Sequence, residues 1–225
     1  AGAALNKSAN GLQVAQERLS SGLRINSAKD DATGLGIATN YDKQIRGTNV
    51  AIRNASDAIS KAQTNDGYAA QIHENLKRLY EIAVQLGGTA SGAETTALVA
   101  ENARIAGLTT AATATTVDGN GTQVTGVSAV IAAPTGLTAA AITTDIGTVT
   151  TARANYGADM VRFASAVATM QTESVNLSAS FSRIMDTDYA AETASQARNN
   201  ILQQAGTAVL AQANQTPQSV LTLLR

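Results

Sequence analysis

A chain of 225 residues that is 44 % hydrophobic has the apolar content to fold, yet with 3 % aromatic residues and no Trp it lacks the large rings of a thick globular core. A formal net charge of -1 gives no basic footprint for nucleic acid, and the absence of Cys excludes disulfides and thiolate metal sites. No apolar run reaches the roughly 18 residues of a membrane span; residues 129–142 come closest and are broken by Pro134, Gly136 and several Thr. Ala1 follows no Met and no charged and apolar leader precedes the first pattern, so the chain is expected to begin inside a trimmed element.

Leu5, Leu12, Ala15 and Leu19 share one helical face, and Ser20, Ser21 and Gly22 end that helix. Residues 23–36 (LRINSAKDDATGLG) read as an ordered loop, because Leu23, Ile25 and Leu35 give it something to bury; Ser27 is placed to cap a single turn toward Asp30. A long helix is expected over 37–86. Its seam runs Ile45, Thr48, Ile52, Ala55, Ile59, Ala62, Asn65, Ala69, Ile72, Leu76, Leu79, Ala83 and Leu86, in threes and fours with one extra three around Asn65, which predicts a local stammer. Asp57 and Lys61, Glu74 and Arg78, and Lys77 and Glu81 stand as i,i+4 opposite charges.

Gly87, Gly88, Ser91 and Gly92 turn the chain into a shorter helix over 93–108, with Leu98, Ile105 and Leu108 on its apolar side, expected to fold back on the long one. Between 109 and 138 the composition shifts to Thr, Val, Ala and Gly, and Asp118, Gly119, Asn120 and Gly121 between Thr and Val runs predict a β-hairpin.

The longest unbroken pattern follows. Ile142, Ile146, Val149, Arg153, Tyr156, Met160, Phe163, Val167, Met170, Ser174, Leu177, Phe181 and Ile184 alternate steps of four and three, with only Arg153 and Ser174 interrupting an apolar seam. A period of 3.5 predicts a helix packed coiled-coil fashion, about 65 Å long at 1.5 Å per residue, and so a partner rod. After a break at 186–188, where a carboxylate caps a new helix, the last pattern covers 189–214. Ala194, Ala197, Ile201, Ala205, Ala208 and Leu210 form its apolar side, and Gln203, Gln204, Gln212, Asn214, Gln215 and Gln218 an amide-rich one. Pro217 is expected to end or kink it, and Val220, Leu221, Leu223 and Leu224 form an apolar tip that implies a partner. The expected fold class is mainly α: long antiparallel helical rods packed coiled-coil fashion, with a small β-hairpin insertion at about 109–138 and both termini at one end.

Catalytic chemistry is absent from the pattern. One His cannot assemble a triad or a multi-histidine metal site, and HENLK at His73 carries Lys77 where a zinc-peptidase motif needs its second ligand. Gly34 and Gly36 follow no apolar strand, and DGNGT at Asp118 lacks the distant Glu of a calcium loop. The chain is expected to be no enzyme and to hold no cofactor or metal.

Two long stretches carry a resemblance. ERLSSGLRINSAKDDATGLGIA within 5–38 and ENLKRLYEIAVQ at 74–85, together with SRIMDTDYAAETASQARNNILQQAGTAVLAQANQTPQSVLTLLR at 182–225, closely resemble bacterial flagellin. The resemblance implies a subunit that polymerises into the extracellular flagellar filament for motility after export through the type III apparatus. It implies residues 1–36 and 186–225 as an inner tube and 37–185 as an outer helical rod. Polymerisation then falls to Leu5, Leu12, Leu19, Ile201, Leu202, Leu210, Val220, Leu221, Leu224 and Arg225. The family's receptor contact motif falls on Leu76, Arg78, Ile82, Gln85 and Glu101, for Toll-like receptor 5 or for a neighbouring subunit. Implied partners are further copies of the chain, a flagellar export chaperone and a cap protein, with no nucleic acid and no membrane span. The resemblance also leads one to expect residues ahead of Leu5 that this chain lacks. The alternatives are a hook-filament junction protein and a flagellin-scaffold surface adhesin or polysaccharide-binding protein, the latter using the Thr-rich insertion.

Overall fold

The computed structural model describes residues 2–109, 116–117, 123–126, 130–134 and 136–223, with side chains as far as residue 213 and none at the four strand residues. The elements in chain order are α1 (Gly2–Ser21), α2 (Ala32–Gln85), α3 (Ala93–Ala106), β1 (Thr116–Val117), β2 (Gln123–Val124), α4 (Ala139–Met185) and α5 (Tyr189–Leu223). They form two compact units, Ala1–Asp42 with Leu177–Arg225, and Lys43–Asn176.

The second unit is built on a seam of small residues. The innermost side chains of α2 are Thr48, Ala51, Ala55, Ala58, Ala62, Asn65, Ala69, Ile72, Leu76, Leu79 and Ala83, in uninterrupted threes and fours. The stammer expected at Asn65 is therefore absent. Ala51 and Ala58 hold the seam, while Ile52 and Ile59 lie half-buried beside it. Small side chains let the facing helix approach, and the bulkier isoleucines fill its flanks. The facing helix, α4, supplies Ile142, Val149, Tyr156, Phe163 and Met170, one per heptad.

Arg153 and Ser174, which interrupt that apolar pattern, bond across to α2. The Arg153 Nε donates to Asp66 Oδ1 at 2.9 Å and the Ser174 hydroxyl to Asn49 Oδ1 at 3.3 Å. Since Asn49 meets Ser174 and Asp66 meets Arg153, the paired stretches run in opposite directions. Thr138 caps α4 by accepting from the Ala141 N–H, and the Gly88 turn is tied to the same end through Ala90 N–H to Leu137 O and Ala139 N–H to Gly88 O.

α3 begins after Gly92, whose φ of 113° no L side chain adopts comfortably, and folds back along α2. Asn75 Nδ2 donates to Asn102 Oδ1 at 2.8 Å, and Arg78 Nε to Glu94 Oε1 at 2.8 Å. The second bond redirects the surface charges. Arg78 pairs with Glu94 and with Glu81, and Lys77 pairs back with Glu74, so the i,i+4 partners expected at these positions give way to i,i+3 ones. The helix stops at Ala106, and Leu108 is exposed rather than part of an apolar side. In the insertion β1 and β2 pair antiparallel, Thr116 opposite Val124 and Val117 opposite Gln123; the expected hairpin turn, 118–122, lies outside the described residues.

In the first unit, α1 ends at Gly22, whose φ of 73° lets the chain turn. α2 starts at Ala32, earlier than the expected 37, because Asp31 Oδ1 accepts from the Gly34 N–H at 2.8 Å and caps it. A Cβ at Gly34 would stand 2.5 Å from Asp31 Oδ2 and 2.8 Å from Ile25 Cδ1, so a side chain there would push the capping carboxylate and the Ile25 tip aside. Ile25, Ala38 and Met185 form a small core with Leu23, Leu35, Phe181 and Ile184 around it. The expected turn from Ser27 toward Asp30 forms, the Asp30 N–H donating to the Ser27 carbonyl at 3.0 Å, but the Ser27 side chain does not cap it. The Asp30 carboxylate is the acceptor, taking the Asn26 and Ser27 N–H groups and the Ser27 hydroxyl.

Those backbone N–H bonds, first Asn26 and then Ser27, hold the Asp30 carboxyl below its ordinary 3.8. A carboxylate with a lowered folded pKa adds stability that is complete above the unfolded value and lost as pH falls through the folded one. The Asn26 and Ser27 amide resonances should therefore hold their folded positions above pH 3.8 and move only at more acid pH, whereas Asp30→Asn should remove that titration.

Pro217 neither ends nor interrupts the backbone of α5, which continues as helix to Leu223. Asp188 caps its start, Oδ1 accepting from the Ala190 and Ala191 N–H groups at 2.9 and 3.2 Å.

Candidate functional site

α1 and α5 pack side by side, and their contact is the reverse of what hydrophobic patterning predicts. The half-buried positions of α5 are Glu192, Ser195, Gln196, Asn199, Gln203, Gly206 and Leu210, a row of mostly polar side chains. They face α1, which contributes Leu5, Ser8, Leu12, Ala15 and Leu19 at alternating threes and fours. Arg18 Nη1 lies 3.5 Å from Glu192 Oε2, and the Tyr189 hydroxyl donates to the Leu19 carbonyl at 3.2 Å. Two glycines set the spacing. A Cβ on Gly11 would stand 2.9 Å from Asn199 Nδ2, and one on Gly206 3.2 Å from Leu5 Cδ1. With Leu5 at Gly206 and Leu19 at Tyr189, the two helices are antiparallel.

The apolar side of α5 consequently points outward. Ile201, Leu202 and Val209 are 65, 52 and 60 % exposed, and Ala194, Ala197, Ala205 and Ala208 are exposed with them. Leu210 departs from the expected apolar side and joins the row facing α1. No described residue of α5 is fully buried. Beside Gly11 and Gly206 opens a groove of about 590 Å³ lined by Leu5, Leu202, Ala205 and Val209, with Lys7, Ser8 and Asn199 at its polar edges. Large apolar side chains on a continuous outward face imply a covering partner.

Of the polymerisation residues expected from the sequence, Leu5, Leu12, Leu19 and Leu210 lie half-buried along the α1–α5 contact, and Ile201 and Leu202 face outward. The side chains of Val220 and Leu221, and Leu224 and Arg225 altogether, lie outside the described residues. Val209 was missed, although its position seven residues after Leu202 signals a shared face.

The receptor motif residues are not brought together on one surface. Leu76 is fully buried and Ile82 nearly so, both in the core of the second unit. Arg78, Gln85 and Glu101 reach the surface, but Arg78 is held by Glu81 and Glu94, and Glu101 by Arg104 at 2.6 Å. The Arg78 and Arg104 guanidinium groups, through their hydrogen bonds, hold the Glu94 and Glu101 carboxyls below the usual carboxylate range. Sequence reasoning also missed the buried Asn75–Asn102 bond and the buried carboxylate of Asp159, since a lone polar residue in an amphipathic helix gives no sign of which way it faces. Among the described residues no group of three or more His, Cys, Asp and Glu is arranged to hold a metal, and no helix is long and apolar enough to cross a membrane.

A helix such as α5, which turns a polar row toward its neighbour and its apolar side outward, is built as a component of an assembly. The comparisons with known proteins agree with that class. Residues 1–125 match the family described as the bacterial flagellin N-terminal helical region, and residues 139–224 the bacterial flagellin C-terminal helical region. The chain is 38 % identical over 249 residues to a flagellin of Halalkalibacterium halodurans, covering 95 % of this chain and 92 % of that one. It is 31 % identical over 281 residues to a flagellin of Bacillus subtilis, with the same coverage. A flagellin of Salmonella muenchen is 52 % identical over 98 residues, which span 43 % of this chain and 19 % of that longer protein.

The chain belongs to the bacterial flagellins. It is a structural subunit of the extracellular flagellar filament, which serves motility, and no enzyme. Neither the matches nor the fold favours a hook-filament junction protein or an adhesin.

Proposed function

We propose that the filament lattice of this flagellin is closed through its terminal helices, with 1–36 and 186–225 as the inner tube and 37–185 as the outer rod carrying the small β insertion. The observation that carries this reading is the outward apolar face of α5. A face unpartnered within one chain and continuous along a helix suits a head-to-tail contact that does not close on itself, and such contacts generate filaments. Ile201, Leu202 and Val209 make this contact, α1 braces it through Leu5, Leu12 and Leu19, and Val220, Leu221, Leu224 and Arg225 extend it.

Before assembly the same apolar face needs protection, which is the part of an export chaperone during type III export, while a cap protein receives subunits at the growing tip. Toll-like receptor 5 is a further partner. Recognition there rests on Arg78, Gln85 and Glu101, which reach the surface, and Leu76 and Ile82 act from beneath by holding α2 in place.

The reading is tested by negative-stain electron microscopy of the full chain, seeded or treated with a precipitant, beside a chain lacking residues 204–225. Filaments are expected from the full chain alone. Equal assembly by both would overturn a lattice made through α5.

A further inference from the structure

We propose that a belt of polar groups divides the helical unit Lys43–Asn176 into two blocks that open separately, and that the block holding Phe163 and Met170 opens first. The buried apolar residues of this unit fall into two clusters, with only the small Ala62 of α2 buried between them. One cluster includes Ile72, Leu76, Leu79, Ile142, Val149 and Tyr156, and takes in α3 through Ile105. The other is built from Ala51, Ala55, Ala58, Phe163 and Met170.

Between them on α2 lie Asn65, buried, and Asp66, paired with Arg153 of α4. On α4, between Tyr156 of the first cluster and Phe163 of the second, lies Asp159, fully buried, with the Arg162 guanidinium 3.9 Å away. A groove of about 310 Å³ opens beside Asn65, lined also by Lys61, Thr64 and Tyr68, so solvent stands next to the belt. Burial, and then the nearby Asp66 charge, push the Tyr156 phenol above its ordinary range.

Cooperative opening follows shared apolar packing, and segments with little of it open at lower free energy. The Asp66–Arg153 pair is partly solvated, and a buried amide or carboxylate costs desolvation that its own bonds roughly offset, so the belt adds little cohesion between the clusters. The second cluster is the smaller and is mostly Ala on the α2 side. It removes less apolar surface from water, and its local stability is lower.

The test is native-state hydrogen exchange on the full chain as monomer. Amides of 48–58 and 163–174 are expected to exchange at least about tenfold faster than those of 69–83 and 142–152. Filling the belt with Asn65→Leu and Asp159→Leu should bring the two blocks toward one rate. Ile72→Val, a mild change that keeps the fold, should speed exchange in the first block and leave the second unchanged. Equal rates in the unaltered chain would overturn the proposal. So would an Ile72→Val effect shared equally by both blocks, or two blocks that stay separate once the belt is filled.

Discussion

A chain carrying Ile201→Asp and Val209→Asp should fold as before and form no filaments. Both side chains stand mostly in solvent in the single chain, so each carboxylate is hydrated there. Surface substitutions of this kind change stability by about 0.5 kcal/mol or less. In the lattice proposed above the same positions are covered, and an unpaired charge taken from water into an apolar contact costs several kcal/mol. Repeated at every subunit of a polymer, that cost removes assembly altogether. Circular dichroism matching the unaltered chain, with no filaments by electron microscopy and no rise in light scattering, is the expected pair of results. Filaments of normal form from the doubly substituted chain would place the lattice contact elsewhere.

Leu76→Ala and Arg78→Ala should separate in the opposite sense, although the two residues stand two apart in one motif. Leu76 has no exposed surface and packs in the main cluster with Ile72, Leu79 and Tyr156. Its truncation leaves a cavity and should cost about 2–5 kcal/mol. Arg78 is exposed and its ion pairs with Glu81 and Glu94 are solvated, so its truncation should leave stability close to that of the unaltered chain. Urea unfolding of the two variants measures this directly. A receptor assay on Leu76→Ala then reports a weakened helix, whereas one on Arg78→Ala reports the surface. Equal stabilities would mean that α2 is not buried at Leu76 as described.

Much of this architecture was legible because coiled helices write their contacts in the spacing of the chain. The heptad positions of α4 from Ile142 to Met170 were readable as they stand, as were the stop at Gly22 and a carboxylate cap at 186–188, though not which aspartate supplies it. The polar interruptions at Arg153 and Ser174 were visible too, but not their purpose, since the partners Asp66 and Asn49 are far away in sequence. The seam of α2 was misread at Ile52 and Ile59. Hydrophobicity ranks Ile above Ala, yet close approach of two helices selects the smaller side chain at Ala51 and Ala58.

The candidate site was legible as family text and as composition, while its orientation was not. The apolar positions of α5 are plain, and they suggest an inward face. That the amide-rich row of Asn199, Gln203 and Gly206 turns toward α1 depends on Gly11 and Gly206 bringing the two helices close enough for those side chains to meet.

Local spacing and end chemistry thus determined, from the sequence by itself, that this chain is a set of long helices packed along heptad seams with an unsatisfied apolar end. Both effects act within a few residues. Which face of each helix is inside, which charges pair across, and whether Leu76 is contact or core were decided only by the tertiary structure. Those choices turn on how closely separate helices can approach, a property of two surfaces together.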